Sequence, residues 1–399
     1  MSDRLAVDGG RPVRDTLLPY GHQTVDESDV QRVLEVLRSA WLTTGPAVGG
    51  FEQAFAAAVG AEHAVAVSSG TAALHAAAFA AGIGPGDEVI TTPMTFVATA
   101  NCILYLGADV VFADVQPESL NLDPARVAEA ITDRTRAIVA VDYAGQPADL
   151  DDLRTIATEH GIAFLEDAAH ALGARYRGRT VGSIANLTTF SFHPVKHITS
   201  GEGGMITTDD AELADRARLF RNHGISADFR QREQEGSWYY EMVELGHNLR
   251  LTDIQAALGT SQLEKAGRWV ERRREIAKMY DQSFQGLACV RTPVIRPERE
   301  PAWHLYVLRF KPGALEVGRQ EVFRALRAEN IGVNVHYIPV PWHPYYRHLG
   351  FRKGGWPVAE AAYEELISLP IWPGMTDGDV QDVVDAVQKV ACEYAQTDA

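Results

Sequence analysis

Short apolar runs alternate with helical stretches over most of the chain. Residues 63–67 (HAVAV) suit a buried strand, and the small-residue turn Ser68-Ser69-Gly70 and an alanine-rich helical stretch follow it. The unit then recurs. Residues 87–92 predict a strand with a helix after it to about residue 106, residues 109–114 another strand, and residues 124–131 a helix. Residues 137–142 and 163–167 predict two more strands, separated by a helix that begins near Asp149, Asp151 and Asp152. Continuous apolar strands alternating with helices imply a mostly parallel sheet covered on both faces.

From residue 183 the texture changes. Residues 187–192 and 204–209 predict two strands around a polar loop, and residues 211–220 a helix. Residues 226–244 form an irregular aromatic and charged stretch that predicts a long loop, a kind usually functional or disordered. One helical pattern then extends over residues 252–284, with Thr252 or Asp253 as its N-cap. After Gly286 a smaller α+β unit is predicted, with strands at 305–310 and 332–337 and helices at 321–329, 358–366 and 377–390. The expected organisation is α/β: residues 1–285 as an N-terminal segment with a large sheet domain, and residues 286–399 as a small C-terminal α+β domain.

Composition narrows the function. The chain has 399 residues, 46% hydrophobic and 23% charged, which excludes disordered, collagen-like and coiled-coil classes. Its 53 acidic against 37 basic residues give a net charge of -16, which disfavours nucleic acid and acidic membrane surfaces as partners. The densest basic run, Arg272-Arg273-Arg274 between Glu271 and Glu275, reads as a solvated helix face. Cys102, Cys289 and Cys392 are odd in number and widely spaced, so neither a disulfide framework nor a CxxC site is expected. The first residues lack a signal-peptide pattern and no apolar stretch is long enough to span a bilayer, so the expected location is the cytoplasm.

Three segments carry candidate chemistry, each with a plainer alternative. SSGTAAL, residues 68–74, sets a hydroxyl and a glycine at a strand-to-helix turn, which suits a phosphate site and equally an ordinary N-cap. Glu166 and Asp167 end a strand at the sheet edge where α/β ligands bind; Asp167 is the functional candidate, and one of the two acids is expected to be solvated or a cap. In SFHPVKHITSGEGG, residues 191–204, Lys196 sits between Val195 and His197, an odd place for a solubilising side chain and a possible Schiff-base lysine. Pyridoxal phosphate needs a phosphate cradle, an acid for its ring nitrogen and a lysine, and the three occur here in one domain in that order. Phe96 is a candidate to stack on the ring, or a core residue.

Rival chemistries lack their motifs. The cluster Gly82-Ile83-Gly84-Pro85-Gly86 precedes a strand and does not fit GxGxxG, so it reads as a turn. The pairs His193/His197 and His343/His348 have no accompanying HExxH or CxxC, and no metal site is expected. GxSxG and the Walker lysine loop are absent.

Taken together, SSGTAAL, TPMTFVATAN, EDAAHALGA, SFHPVKHITSGEGG, FRNHG, NLRLTDIQAALG, WHLYVLRF, IGVNVHYIPV, SLPIWPGMTD and the front segment LPYGHQTVDESDVQRVLEVLRSAWLTTGP resemble the DegT/StrS-type sugar aminotransferases. The resemblance covers roughly residues 18–390. It implies a fold-type-I pyridoxal phosphate enzyme, similar to aspartate aminotransferase. Carried over position by position, it makes Lys196 the Schiff-base lysine and proton shuttle, Asp167 the partner of the pyridinium nitrogen, and Phe96 the cover of the ring. It sets His170 near the phenolic oxygen and Gly70, Thr71 and Ser191 at the phosphate. Asn248 would reach the phosphate from the neighbouring subunit, which implies a homodimer with shared sites. Tyr20, Thr43, Asn334, His336 and Tyr337 fall in stretches that line the sugar-nucleotide site.

Within the family the chain is most similar to the aminotransferases of the pseudaminic acid pathway. That implies transfer of an amino group from L-glutamate to a UDP-linked 4-keto-6-deoxy-N-acetylhexosamine. A TDP-4-keto or 3-keto deoxysugar, or dehydration of a sugar by a related pyridoxal phosphate enzyme, are the alternatives.

Overall fold

The structure, a computed structural model, describes residues 4–227, 232 and 236–395. Its strands are β1 (His63–Val67), β2 (Glu88–Thr91), β3 (Asp109–Phe112), β4 (Thr135–Val141), β5 (Ala163–Asp167), β6 (Arg175–Tyr176), β7 (Arg179–Thr180), β8 (Leu187–Ser191), β9 (Gly204–Thr208), β10 (Val290–Arg291), β11 (Arg299–Glu300), β12 (Tyr306–Phe310) and β13 (Leu366–Leu369). Seven of them form the central sheet in the order β1-β9-β8-β5-β4-β2-β3. The pairs β8–β5, β5–β4, β4–β2 and β2–β3 are parallel, while β9 pairs antiparallel with both β1 and β8. All strands of this sheet except β9 therefore point their C-terminal ends at one edge.

Both faces of the sheet are covered, as its continuous apolar strands require. Val89, Val139 and Leu165 pack under α3 (Gly70–Ala80) and α4 (Ala98–Tyr105), whereas Ile90, Ile138 and Phe164, each one residue away, pack with Val127, Leu153 and Ala157 on the other face. Ala64, Ala66, Phe190 and Met205 meet a third cluster that includes Phe51 and Phe55. These two phenylalanines belong to the helix Pro46–Val59, which with Glu27–Leu37 precedes the alternating region. The sequence reading had assigned no element there. Asp26 begins Glu27–Leu37 with a capping box to Asp29.

Two expected elements differ. The pattern over 252–284 is two helices, Asp253–Leu263 and Ala266–Phe284. The chain turns at Glu264 and Lys265, where the Lys265 ammonium pairs with Asp29 at 2.9 Å and with Asp26 at 2.5 Å. Thr252 is the N-cap, in a capping box with Gln255, whereas Asp253 is buried and accepts from the Gly45 and Ala47 amides at 2.7 and 2.8 Å, so it caps the helix Pro46–Val59. Residues 332–337 form no strand. Asn334 alone makes a bridge there, to Ser368, and Asn334, Val335, His336 and Tyr337 line a cavity.

β10, β12 and β13 form a second sheet whose core holds Tyr306, Leu308, Phe310, Ile367, Leu369, Val383 and Val387. Leu5 and Leu18 from the front of the chain and Ile276, Tyr280 and Phe284 from Ala266–Phe284 pack into the same core. Arg273 corrects the reading of the basic run as a solvated face. It is 1% exposed, and its Nη1 donates to the carbonyls of Trp303, His304 and Ile371 at 3.1, 3.3 and 2.7 Å. The cysteines are free.

Candidate active site

The C-terminal edge of the central sheet opens into a cavity of about 580 Å³. Ser69, Gly70 and Thr71 line it at the start of α3, Asp167, Ala169 and His170 after β5, and Ser191, His193 and Lys196 after β8. Ser69 caps α3 by accepting from the Ala72 amide at 3.1 Å, which leaves the first amides of the helix facing the cavity. The N-cap reading of the SSGTAAL segment is thus observed, and the same turn lines the cavity. Gly70 is obligatory for packing: a Cβ there would lie 2.7 Å from the Cβ of Ser191.

Asp167 is 5% exposed. Its Oδ2 accepts from the Thr99 hydroxyl at 2.8 Å, which is itself 2.8 Å from Thr95 Oγ1, and its Oδ1 accepts from the Ala169 amide at 3.2 Å. Burial raises its pKa, while Thr99, the Ala169 amide and Lys196 favour the anion. Thr95 and Thr99 flank Phe96 at helical spacing, a signal that the sequence reading passed over.

Glu166 corrects the expectation that one of the two acids is solvated. It points to the opposite face of the sheet, fully buried, accepts from Thr188 Oγ1 at 2.9 Å and contacts Asp142. Asp142 accepts from the Ala148 amide at 2.9 Å, and one oxygen of each carboxyl, Asp142 Oδ2 and Glu166 Oε1, has no other partner. Burial raises the pKa of both acids above the usual carboxylate range, and the Glu166 charge raises that of Asp142 further, so both favour the protonated form.

Lys196 lies in the turn after β8, with its amide donating to the His193 carbonyl at 2.9 Å. The turn is held from both sides. His197 contacts the Ala302 carbonyl at 3.0 Å, and Thr199 and Ser200 both donate to the Phe192 carbonyl. Burial lowers the Lys196 pKa to about 8, with Asp167 opposing and Arg273 adding to the shift. Its Nζ lies 3.5 Å from Nε2 of His304, a residue the sequence reading left without a role. The His304 and His170 rings are 4.2 Å apart, and burial keeps both imidazoles neutral.

His170 Nε2 is 3.0 Å from the Tyr337 hydroxyl, and its buried Nδ1 has no partner. Tyr20, Asn334 and His336 complete the outer wall. The Tyr20 and His336 rings are 5.4 Å apart, Asn334 Nδ2 is 3.3 Å from His336 Nε2, and His336 Nδ1 is 2.8 Å from Ser368 Oγ. Phe96 is 57% exposed at the cavity, which excludes a core role. Thr43 and Asn248 are not brought to this cavity within one chain. Thr43 bridges Thr252, and Asn248 is exposed and bridges Asn222. Part of the long loop expected at 226–244, residues 228–231 and 233–235, lies outside the described residues.

The family model for the DegT/DnrJ/EryC1/StrS aminotransferase family matches residues 23–388. The chain belongs to this family. It is 46% identical to the spore coat polysaccharide biosynthesis protein SpsC of Bacillus subtilis over 380 residues, 94% of this chain and 98% of the relative. Among solved structures it is similar to Helicobacter pylori PseC, an aminotransferase involved in pseudoaminic acid biosynthesis, with a TM-score of 0.88 and 34% identity over 95% of this chain and 100% of that one. It is also similar to the PLP-form of the putative sugar aminotransferase Spr1654 of Streptococcus pneumoniae, with a TM-score of 0.89 and 31% identity over 95% and 100% of the two chains.

As a DegT-family member the chain is a fold-type-I, pyridoxal phosphate-dependent sugar aminotransferase, acting with an amino donor on a nucleotide sugar. The cavity fits that cofactor: the Gly70 cradle and the α3 amides suit a phosphate, the orphaned His170 Nδ1 suits a phenolic oxygen, and Asp167 and Lys196 face the same space.

Proposed function

We propose that this chain transfers the amino group of L-glutamate to the keto carbon of a UDP-linked 4-keto-6-deoxy-N-acetylhexosamine. The observation that carries the catalytic part is the meeting of Lys196, Asp167 and the start of α3 at one cavity. The sugar class rests on the likeness to PseC and SpsC, whose names place them in the synthesis of an acidic sugar and of a surface polysaccharide.

Each residue has a stated task. Lys196 would hold the cofactor covalently, and its Nζ, when free, would be the base that takes the proton from the substrate carbon and the acid that gives it back. Bound pyridoxal phosphate supplies the electron sink that makes that carbon acidic. The Asp167 carboxylate would keep the ring nitrogen protonated, Phe96 would cover the ring, and His170 would donate toward the phenolic oxygen. Gly70, Thr71 and Ser191 would hold the phosphate, with Asn248 reaching it from the other subunit of a cytoplasmic homodimer. Tyr20, Asn334, His336 and Tyr337 would line the sugar side. Glutamate and the keto sugar then use one site in turn, so the kinetics are ping-pong.

The test is the two half-reactions run separately. Glutamate converts the yellow enzyme to its colourless amine form, and each candidate keto sugar is then added. The UDP-linked 4-keto-6-deoxy-N-acetylhexosamine restores the colour. Recovery only with a TDP-linked keto sugar overturns the substrate, and no bleaching by glutamate overturns the donor.

A further inference from the structure

His304 has no role in the reading above, yet it is the side chain that Lys196 meets. Its Nε2 is 3.5 Å from Lys196 Nζ, it is 5% exposed, and its Nδ1 has no partner. Its backbone is anchored from behind, because Arg273 donates to the carbonyls of both Trp303 and His304. The ring is held between His170 at 4.2 Å and His197 at 5.7 Å. This amounts to a buried imidazole, locked in orientation and aimed at the amine.

We propose that His304 is the positioning residue for the Lys196 amine whenever that amine is not bound to the cofactor, holding Nζ over the cavity through Nε2. The imidazole serves either protonation state of the lysine. With its proton on Nδ1 it accepts from the ammonium, and in the other tautomer it donates Nε2–H to the lone pair of the free amine. No proton passes between the two, because burial and the neighbouring Lys196 charge keep the His304 pKa well below its ordinary value. Asp167, Arg273, His170, His197 and His336 also face the amine, but Asp167 is engaged by Thr99, Arg273 by carbonyls, His170 by Tyr337, His197 by Ala302 and His336 by Ser368. Of these side chains, His304 is the one whose ring nitrogen lies at 3.5 Å from the amine with no other partner on that nitrogen.

The inference rests on Lys196 being the cofactor lysine, and the experiment separates the two. Full-length protein stripped of cofactor is mixed with pyridoxal phosphate across a range of pH, and the rate at which the visible absorbance of the lysine linkage forms is recorded. A glutamine sets its amide near the imidazole Nε2 position, whereas an asparagine falls short of it. H304Q is expected to keep the wild-type midpoint. H304N, having lost the charge-assisted hydrogen bond from the ammonium, the stronger of the two, is expected to shift the midpoint down by about one pH unit and, at pH above both midpoints, to capture cofactor several-fold more slowly.

An H304N midpoint equal to that of the wild type overturns the proposal. Should H304N not fold, H304L gives the same comparison, and in the wild type the 15N resonance of His304 Nε2 must move when cofactor takes Lys196 away; an unmoved resonance also overturns the proposal. A Lys196→Arg variant that still develops the absorbance overturns the lysine assignment instead.

Discussion

At the scale of single residues the account rests on a depressed amine and a shielded carboxylate sharing one cavity. Lys196→Ala removes both the covalent tether and the proton carrier, so turnover is expected to fall by at least about 10⁴-fold while cofactor still binds without covalent attachment; near-normal turnover contradicts the assignment. Asp167→Asn is expected to cost about 10³-fold or more, because a neutral amide cannot hold the ring-nitrogen proton against burial. The free amine works only when unprotonated. With its pKa lowered to about 8 by burial, the cofactor-free protein should capture added pyridoxal phosphate at a rate that rises as pH increases through about 8 and levels off above it. Lys196 and Asp167 stood out in the sequence because they sit in motifs whose residue types fit one cofactor, and the fold brings both to one cavity. His304 was not, since a histidine in an apolar strand entry carries no spacing signal, and Arg273 was misread because a run of charges gives no sign of which member turns inward.

At the scale of elements, the parallel strands and the helices between them could be read from the chain, because burial on both faces makes continuous apolar runs. Gly332 to Tyr337 was read as a strand for the same reason and is none. Its alternating pattern serves a cavity wall on one side and a core on the other, and periodicity alone does not distinguish that from a sheet. Likewise the helical pattern continues across Lys265, where ion pairs with Asp26 and Asp29 from the front of the chain redirect it. Strand β5 carries a further consequence. Its Glu166 lies buried against Asp142, and its pKa is raised from 4.5 to about 7 chiefly by burial. A carboxyl with a raised folded-state pKa stabilises the fold below its unfolded-state value and loses that contribution as pH climbs through the folded one. Denaturation midpoints should therefore fall between about pH 4.5 and 7, and Glu166→Gln should flatten that slope; an unchanged slope contradicts the raised pKa.

At the scale of the whole molecule, the single chain leaves Asn248 and an apolar run exposed, with Trp238 84% and Leu245 74% accessible. A homodimer would cover such a surface and bring Asn248 to the partner's site. Light scattering is expected to give the mass of two chains, and Asn248→Ala is expected to weaken cofactor retention roughly tenfold; a monomer that keeps its cofactor contradicts the shared site. No helix among the described residues is long and apolar enough to cross a membrane. The C-terminal edge of the large sheet brings Asp167, Ser191 and Lys196 to the cavity, and the segment before β12 and the one that bridges β13 at Ser368 bring His304, Asn334, His336 and Tyr337 to it.

The most direct test of the central claim is borohydride reduction of the yellow protein followed by peptide mapping. Reduction turns the carbon–nitrogen double bond between cofactor and lysine into a stable secondary amine. The account predicts that the cofactor's mass is found on the peptide containing Lys196; its appearance on another lysine, or on none, would contradict it.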